Sequence, residues 1–208
     1  MQSNEQRSNE WFNERLGRFT ASTIDDILGI KGLGLTGEAL CLKKAREIVF
    51  GIDPDEGFTS FDMQRGIDLE PIAFETFAKL KDLEFLEVKK SYFFPYTSDA
   101  GASPDGLVGE DAILEIKCPK PDKLFGLITH GAAKIDKGYY SQMQMQMLCS
   151  NSQRCHFFNY AIFKSESIYH EIIVERDEKH IDFIKERLTV AVELRNEYVE
   201  KMVKNKQF

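Results

Sequence analysis

Residues 103–119 read SPDGLVGEDAILEIKCP, and this stretch decides how the rest of the chain must be arranged. At its centre, Gly109-Glu110-Asp111 is turn chemistry between two apolar runs, residues 102–108 and 112–117, which predicts an antiparallel hairpin. Asp105 precedes the turn; Glu115 and Lys117 come ten and twelve residues after it. Side chains two apart on a strand point the same way, roughly 6.6 Å from one another. Glu115 and Lys117 therefore share a face, Ile116 takes the other, and closing the hairpin brings Asp105 toward Glu115. Ile113, Leu114 and Ile116 are apolar enough for a central strand, where an unpaired carboxylate is costly. Two carboxylates form the oxygen-rich set that a hard divalent cation selects, and the backbone carbonyl of Ile116 can complete it. Lys117 has no ligand role; an ammonium beside a cation-bound water orients it or lowers its pKa. The plainer alternative is a solvated strand face with an incidental Glu–Lys pair.

Working outward, residues 87–96 add a third β-rich run. Helical spacing dominates before it. A short amphipathic helix around Trp11, Phe12 and Leu16 ends near Gly17. Another helix spans 22–29, with Ser22 and Asp25 in a capping relation. Further helices span 39–50 and 61–80, the latter containing Pro71, which should start or kink a segment. Residues 29–37 and 51–60 read as loops on their glycine, proline and aspartate content. Within the first, GLGLTG lacks the Lys-Ser/Thr ending of a phosphate loop and reads as a connector. Beyond the hairpin come a helix over 137–149, strands over 154–163 and 167–174, and a closing amphipathic helix over 177–204. The resulting class is α/β, a central mixed β-sheet flanked by α-helices, in one domain over residues 1–208.

Of the 208 residues, 42% are hydrophobic and 12% aromatic, enough for a sizeable core, which excludes wholesale disorder. No uncharged apolar run reaches the roughly 18 residues of a membrane span. The opening MQSNEQRSNEWF has no apolar stretch of signal-peptide type, so a cytoplasmic protein with no membrane contact is expected. With 27 Lys and Arg against 34 Asp and Glu, the net charge is −7. That is wrong for a protein that coats nucleic acid by bulk charge; any DNA contact must be focused in a pocket. Cys41, Cys118, Cys149 and Cys155 fit no zinc spacing and are expected as free thiols, mostly buried. His130, His156, His170 and His180 fall in different elements and form no constellation.

The pattern Pro104-Asp105 followed by Glu115-Ile116-Lys117 resembles the PD-(D/E)XK nuclease signature. Five blocks then occur in order: RLGRFTAS at 15–22, GIDLEP at 66–71, SPDG at 103–106, LEIKCP at 114–119 and YSQMQ at 140–144. Together, over about residues 11–160, they resemble the lambda exonuclease / YqaJ-like viral recombinase family. The resemblance implies a restriction-endonuclease-like core and Mg²⁺-dependent 5′→3′ digestion of one strand of double-stranded DNA from an end. The implied products are mononucleotides and a 3′ single-stranded overhang. A ring-shaped homotrimer and a single-strand annealing protein as partner are implied as well, in a bacterial host cytoplasm with a phage or prophage origin. On this reading Asp105 bridges two Mg²⁺ ions, with Mn²⁺ able to substitute; Glu115 and the Ile116 carbonyl bind there, and Lys117 positions the attacking water. A different nuclease of the superfamily, single-strand or structure-specific, and a catalytically silent DNA-end-binding module are the alternatives.

The remaining blocks each have a physical reading. Arg18 lies just before the Ser22 helix start, and free amides, a hydroxyl and a guanidinium make an anion site; the resemblance implies that it holds the 5′-terminal phosphate. Arg15 is the weaker candidate, because another helix phase exposes it. Glu70 is either a surface acid near a helix N-terminus or, as the resemblance implies, an outer metal ligand through water. Arg65 is structural or contacts phosphate, and Ser103 bonds near the metals or simply forms the turn before Pro104. Gln142, Gln144 and Gln146 cannot all face one way on a helix. Alignment of the motif favours Gln142 and Gln144 as the pair reaching the site, with Gln146 outside it. Tyr139 or Tyr140 touches substrate or packs.

Overall fold

The structure, a computed structural model, describes residues 13–51 and 60–205. Trp11 and Phe12 of the first expected helix, and most of the 51–60 loop, lie outside the described residues. In chain order the elements are β1 (Phe19–Thr20), a 3-10 turn (Ala21–Ile27), α1 (Gly34–Phe50), α2 (Phe61–Asp82), β2 (Val88–Lys90), β3 (Phe94–Pro95), β4 (Ala100–Ala102), β5 (Gly106–Val108) and β6 (Ala112–Lys117). Then come α3 (Pro121–His130), a second 3-10 turn (Gly131–Lys134), α4 (Lys137–Ser150), β7 (Arg154–Phe163), β8 (Glu166–Glu175) and α5 (Glu178–Asn205).

Five strands form one mixed sheet in the order β2-β5-β6-β7-β8, and three short ones form a second, β1-β4-β3. The expected hairpin is β5–β6, paired from Val108↔Ala112 to Gly106↔Leu114. β6 then runs parallel to β7, with Glu115 opposite Phe157 and Lys117 opposite Asn159. A parallel neighbour needs a crossover, and α3 with α4 supplies it. Strand alternation sends Ile113 toward Met143, Met147 and Leu127, the α4 side of the sheet. Leu114 and Ile116 go to the other side, against Ala73 and Phe77 of α2 and Phe158 of β7. Each such fully buried side chain is worth about 1.5–3 kcal/mol, so a register slip on β6 would exchange both faces at once. The class is the expected one, mixed sheets with helices against them. Among the described residues, no helix is long and apolar enough to cross a membrane.

Several local expectations give way to packing. Where a helix over 22–29 was expected, Ala21–Ile27 form a seven-residue 3-10 turn, begun at Thr20 without a side-chain cap. The Ser22–Asp25 cap is absent because Asp25 accepts from Ser141 Oγ of α4 instead. α1 starts at Gly34, inside the expected connector; a Cβ at Gly37 would lie 3.0 Å from Asp26 O, so glycine there lets the helix approach the turn. Pro71 neither starts nor ends α2, which runs through it. Ser60 caps the first turn of α2 by accepting from Met63 N, and Ala73 and Phe77 anchor the part after Pro71. The run 87–96 divides between two sheets, and so does 102–108, which Pro104 interrupts. Pro95 sits on an edge strand, where a missing N–H is tolerated. α3 is an element the sequence reading passed over; its signals were Pro121 in the first turn and the buried pair Leu124 and Leu127 three apart.

Candidate active site

The end of β6 is where the chemistry-bearing residues meet. β5 begins only at Gly106, so its ladder with β6 stops at Leu114. Asp105 extends it by one step: its N–H donates to Leu114 O at 2.9 Å, and its Oδ2 accepts from Ile116 N at 2.7 Å. A carboxylate here stands where the next strand carbonyl would be.

Glu115 points to the α4 side and is 2% exposed. Its Oε1 accepts from Lys117 Nζ at 2.6 Å and Gln142 Nε2 at 2.7 Å, and its Oε2 from Gln146 Nε2 at 2.6 Å. Lys117 also donates to Gln142 Oε1 at 3.3 Å and lies over the Tyr139 ring, 4.7 Å from its centroid. Glutamines four apart share a helix face, and α4 presents Gln142 and Gln146 side by side.

That geometry corrects one expectation. Gln144 is fully buried away from the carboxylates; it donates to Glu175 O and accepts from Asp177 N, tying α4 to the end of β8. Two residues along a helix is a rotation of roughly 200°, so a helix that aims Gln142 at Glu115 turns Gln144 to the opposite side. Gln146 takes its place.

Asp105, Glu115, Ile116, Lys117, Gln142 and Gln146 line one wall of a cleft of ≈ 220 Å³, together with Glu70 and Ser103. Glu70 reaches it because it lies three residues before Ala73 and seven before Phe77, on the face of α2 that packs against the sheet. The facing wall comes from the N-terminal segment: Arg15, Thr20, Ala21 and Ser22. Arg18, the expected phosphate ligand, does not line the cleft; its guanidinium lies over the Phe93 ring, 5.4 Å from the centroid. Arg15 shares that ring at 5.2 Å and does line the cleft. Position 17 is glycine at φ +69°, and the tight turn it makes is what separates the two arginines. Arg65 lies outside the cleft as well, bracing the chain after β6 through Cys118 O at 3.4 Å and Asp62 at 2.8 Å. Ser22 faces solvent at the cleft, 3.3 Å from Thr20 Oγ1.

The electrostatics of the two walls are opposed. Removal from water, then the charges of Glu115 and Glu70, push the Asp105 carboxyl well above the aspartate range. Burial works against the Lys117 charge, but Glu115 and then Asp105 outweigh it, and its pKa stands above that of ordinary lysine. Burial lowers Arg15 to about 10 against a smaller opposing pull from Glu14, which leaves it a cation at neutral pH.

Does this set fit a divalent cation? A buried carboxyl such as Asp105, pushed up by neighbouring carboxylates, is a donor whose repulsion a hard cation relieves. Ser103 Oγ and Gln146 Oε1, buried at the same wall, have no partner among the described residues, which marks a place for a polar guest. The side chains supply a partial shell: among the described residues no group of three His, Cys, Asp or Glu gathers into one cage. The chemistry of the set is compatible with a divalent cation, which Asp105, Glu115 and the Ile116 carbonyl would hold. The four cysteines are free thiols, Cys41 and Cys155 among them buried.

Comparison with known proteins bears on the same region. The family model described as YqaJ-like viral recombinase domain matches residues 10–153. The chain belongs to that family. The match takes in both walls of the cleft and ends with α4 complete, so every lining residue of this YqaJ-like domain lies within it. Among solved structures, an alkaline exonuclease (LHK-Exo) from Laribacter hongkongensis superposes with a TM-score of 0.81 at 27% identity, covering 95% of this chain and 97% of that one. The same exonuclease in complex with dAMP gives 0.81 at 26% identity and the same coverage. A phage-related exonuclease from Haemophilus somnus 129PT gives 0.71 at 19% identity over 89% and 96% of the two chains, a likeness of fold alone. A search of curated protein sequences found no match. Family membership and the alkaline exonuclease likeness together support a nuclease.

Proposed function

We propose that the protein is a Mg²⁺-dependent exonuclease that takes the 5′-terminated strand of a DNA duplex end and removes nucleotides from it, leaving a 3′ single-stranded overhang. The observation that carries this reading is the pairing of opposite walls on one small cleft: Asp105, Glu115 and Lys117 on one side, Arg15 with Ser22 on the other. A cleft of ≈ 220 Å³ is small beside a duplex, which supports capture of a strand end. The dAMP bound by the exonuclease of 26% identity supports a mononucleotide product.

Asp105, Glu115 and the Ile116 carbonyl would hold the cation, or two of them, with Mn²⁺ as a substitute. The cation's contribution is Lewis acidity toward the phosphoryl oxygens. Glu70, at the same cleft, would act on the cation from outside its direct ligands. Lys117 stays protonated, since its acidic neighbours keep its pKa high; it orients the attacking water and offsets charge on the phosphate, and it is no general base. Gln142 and Gln146 fix the Glu115 carboxylate by three-point hold with Lys117. Arg15 grips the terminal phosphate with the Ser22 hydroxyl beside it, and the separation of grip and cutting centre sets the 5′→3′ polarity. The ring-shaped homotrimer and the annealing partner on the overhang rest on the family resemblance alone, since a net charge of −7 does not by itself hold a duplex.

The test is digestion of linear duplex labelled at one end, with Mg²⁺ or with chelator, on 5′-phosphoryl and 5′-hydroxyl ends. Release of 5′-label as mononucleotide, faster from phosphorylated ends and abolished by chelator, is expected. Release of 3′-label first, or a preference for single strands, overturns the direction and the substrate. A monomeric mass by light scattering at working concentration overturns the trimer.

A further inference from the structure

The turn that carries Arg15 is held by more buried charge than a turn of its size requires. Arg18 N–H closes it on Arg15 O at 3.0 Å. At Gly17 both polar groups of the backbone are gripped by charged side chains. Gly17 N–H donates to Glu47 Oε2 of α1 at 3.0 Å, and Gly17 O accepts from Arg195 of α5 at 2.8 Å. Neither partner is a surface group: Glu47 is 6% exposed and Arg195 4%. Each is held in turn. Lys44 Nζ donates to both oxygens of Glu47, at 3.0 and 2.9 Å. Arg195 donates to Asp99 Oδ1 at 2.6 Å, and the backbone O of Asp99 accepts from Phe19 N at 2.9 Å. Four charges from three parts of the chain therefore converge on one glycine. A side chain at position 17 would leave no room for this, since its Cβ would lie 2.4 Å from Ile48 Cγ1.

Burying ion pairs is a poor route to stability, because apolar packing holds a turn at least as well without the desolvation cost. What the ionic hold adds is direction: two hydrogen bonds at one residue fix how the flanking peptides point, and Arg15 lies two residues away. Phe93 gives the same guanidinium a floor, and it can lie there only because position 101 is glycine; a Cβ at Gly101 would sit 2.3 Å from its ring.

We propose that Glu47 and Arg195, the latter braced by Asp99, are positioning residues that fix Arg15 for recognition of the terminal phosphate. The proposal rests on the cleft being the 5′-phosphate site. The experiment measures initial digestion rates on duplexes with 5′-phosphoryl and 5′-hydroxyl ends, as a ratio, alongside thermal melting. Asp99→Ala and Arg195→Met are expected to lower the ratio by about tenfold while the 5′-hydroxyl rate holds, the scale on which small misplacements act. Asp99→Asn, which keeps an acceptor oxygen for Arg195, is expected to restore it. Should Arg195→Met fail to fold, the Asp99 pair decides, because that side chain is partly exposed, at 32%. Folded variants with lower melting temperatures and an unchanged ratio overturn the proposal and leave the clamp a structural tie. A wild-type protein that digests both ends equally removes the phosphate site itself, a failure distinguishable from the first.

Discussion

The two walls of the cleft are built on opposite plans. The acidic wall stands on the β5–β6 hairpin, where backbone ladders set the direction of each side chain and neighbouring amides satisfy the carboxylates. The arginine wall stands on a turn, the two-residue strand β1 and a 3-10 segment, and charged side chains of distant helices hold the turn in place. A strand register is a rigid platform that costs nothing extra to aim. A turn has to be aimed by side chains, and here those side chains are buried and charged.

The largest effect should come from the acidic wall. Lys117→Ala is expected to reduce digestion by about 10²–10³-fold, the usual consequence of losing one preorganised charge-stabilising donor. Binding of duplex ends should stay measurable by fluorescence anisotropy, because Arg15 is untouched; unchanged digestion would break the assignment. Asp105→Asn should also stop digestion, and it should change how stability depends on pH. A carboxyl whose folded pKa is raised favours the folded state below the ordinary aspartate range and loses that contribution as pH rises through the raised value. In chelator, the wild type should therefore melt lower at alkaline than at mildly acidic pH from this source. Asp105→Asn should flatten that dependence, and added Mg²⁺ should recover the wild type by binding the folded state.

The arginine wall gives the next effect. Arg15→Ala removes a charged hydrogen-bonding group worth about 1.5–3 kcal/mol, or roughly 10- to 100-fold in preference for 5′-phosphorylated ends. If the rate on 5′-hydroxyl ends falls equally, Arg15 is serving the fold or the cutting centre, and the division into two walls fails.

Within α4, the paired glutamines sharpen the comparison. Gln146→Leu takes a donor from Glu115 and should weaken cation activation by about 10–100-fold, as losses behind a ligand do. Gln144→Leu unpairs Glu175 O and Asp177 N instead, so it should cost about 1–3 kcal/mol in denaturant unfolding and leave the rate at saturating cation unaltered. Equal behaviour of the two variants would mean that α4 acts as a unit and that facing Glu115 is immaterial.

The same contrast accounts for what could be read from the residues. The hairpin, the facing of Glu115 against Ile116 and the approach of Asp105 all follow from spacing within seventeen residues, because strand alternation is a fixed two-residue rule. Choosing Gln146 over Gln144 was within reach too, since a four-residue step keeps a helix face once Gln142 is placed. The split of 102–108 by Pro104 was signalled by the proline itself. Arg15 was legible only as the weaker of two candidates, behind Arg18. Its place in the cleft depends on Glu47 and Arg195, the latter on α5, and no periodicity near residue 15 reports a contact made from so far along the chain. The 3-10 turn was hidden for the same reason, Asp25 being drawn to Ser141 rather than to its own helix start.

Arg18 provides the smallest expected effect and the finest test of how the second wall is aimed. It has the same chemistry as Arg15, sits three residues away and lies over the same Phe93 ring, yet it stays outside the cleft. If phosphate recognition came from the summed positive field of this corner, removing either charge would matter comparably. If it comes from a guanidinium held in place, only Arg15 matters. A partly exposed charge outside the cleft is worth no more than about 1 kcal/mol in either binding or stability. Arg18→Ala should therefore shift the 5′-phosphate preference by less than about fivefold, and raising salt should erase even that while the Arg15 contribution survives, because a desolvated contact is screened far less than an exposed one. Comparable losses from the two variants, fading together as salt rises, would show a diffuse basic corner in place of an aimed site.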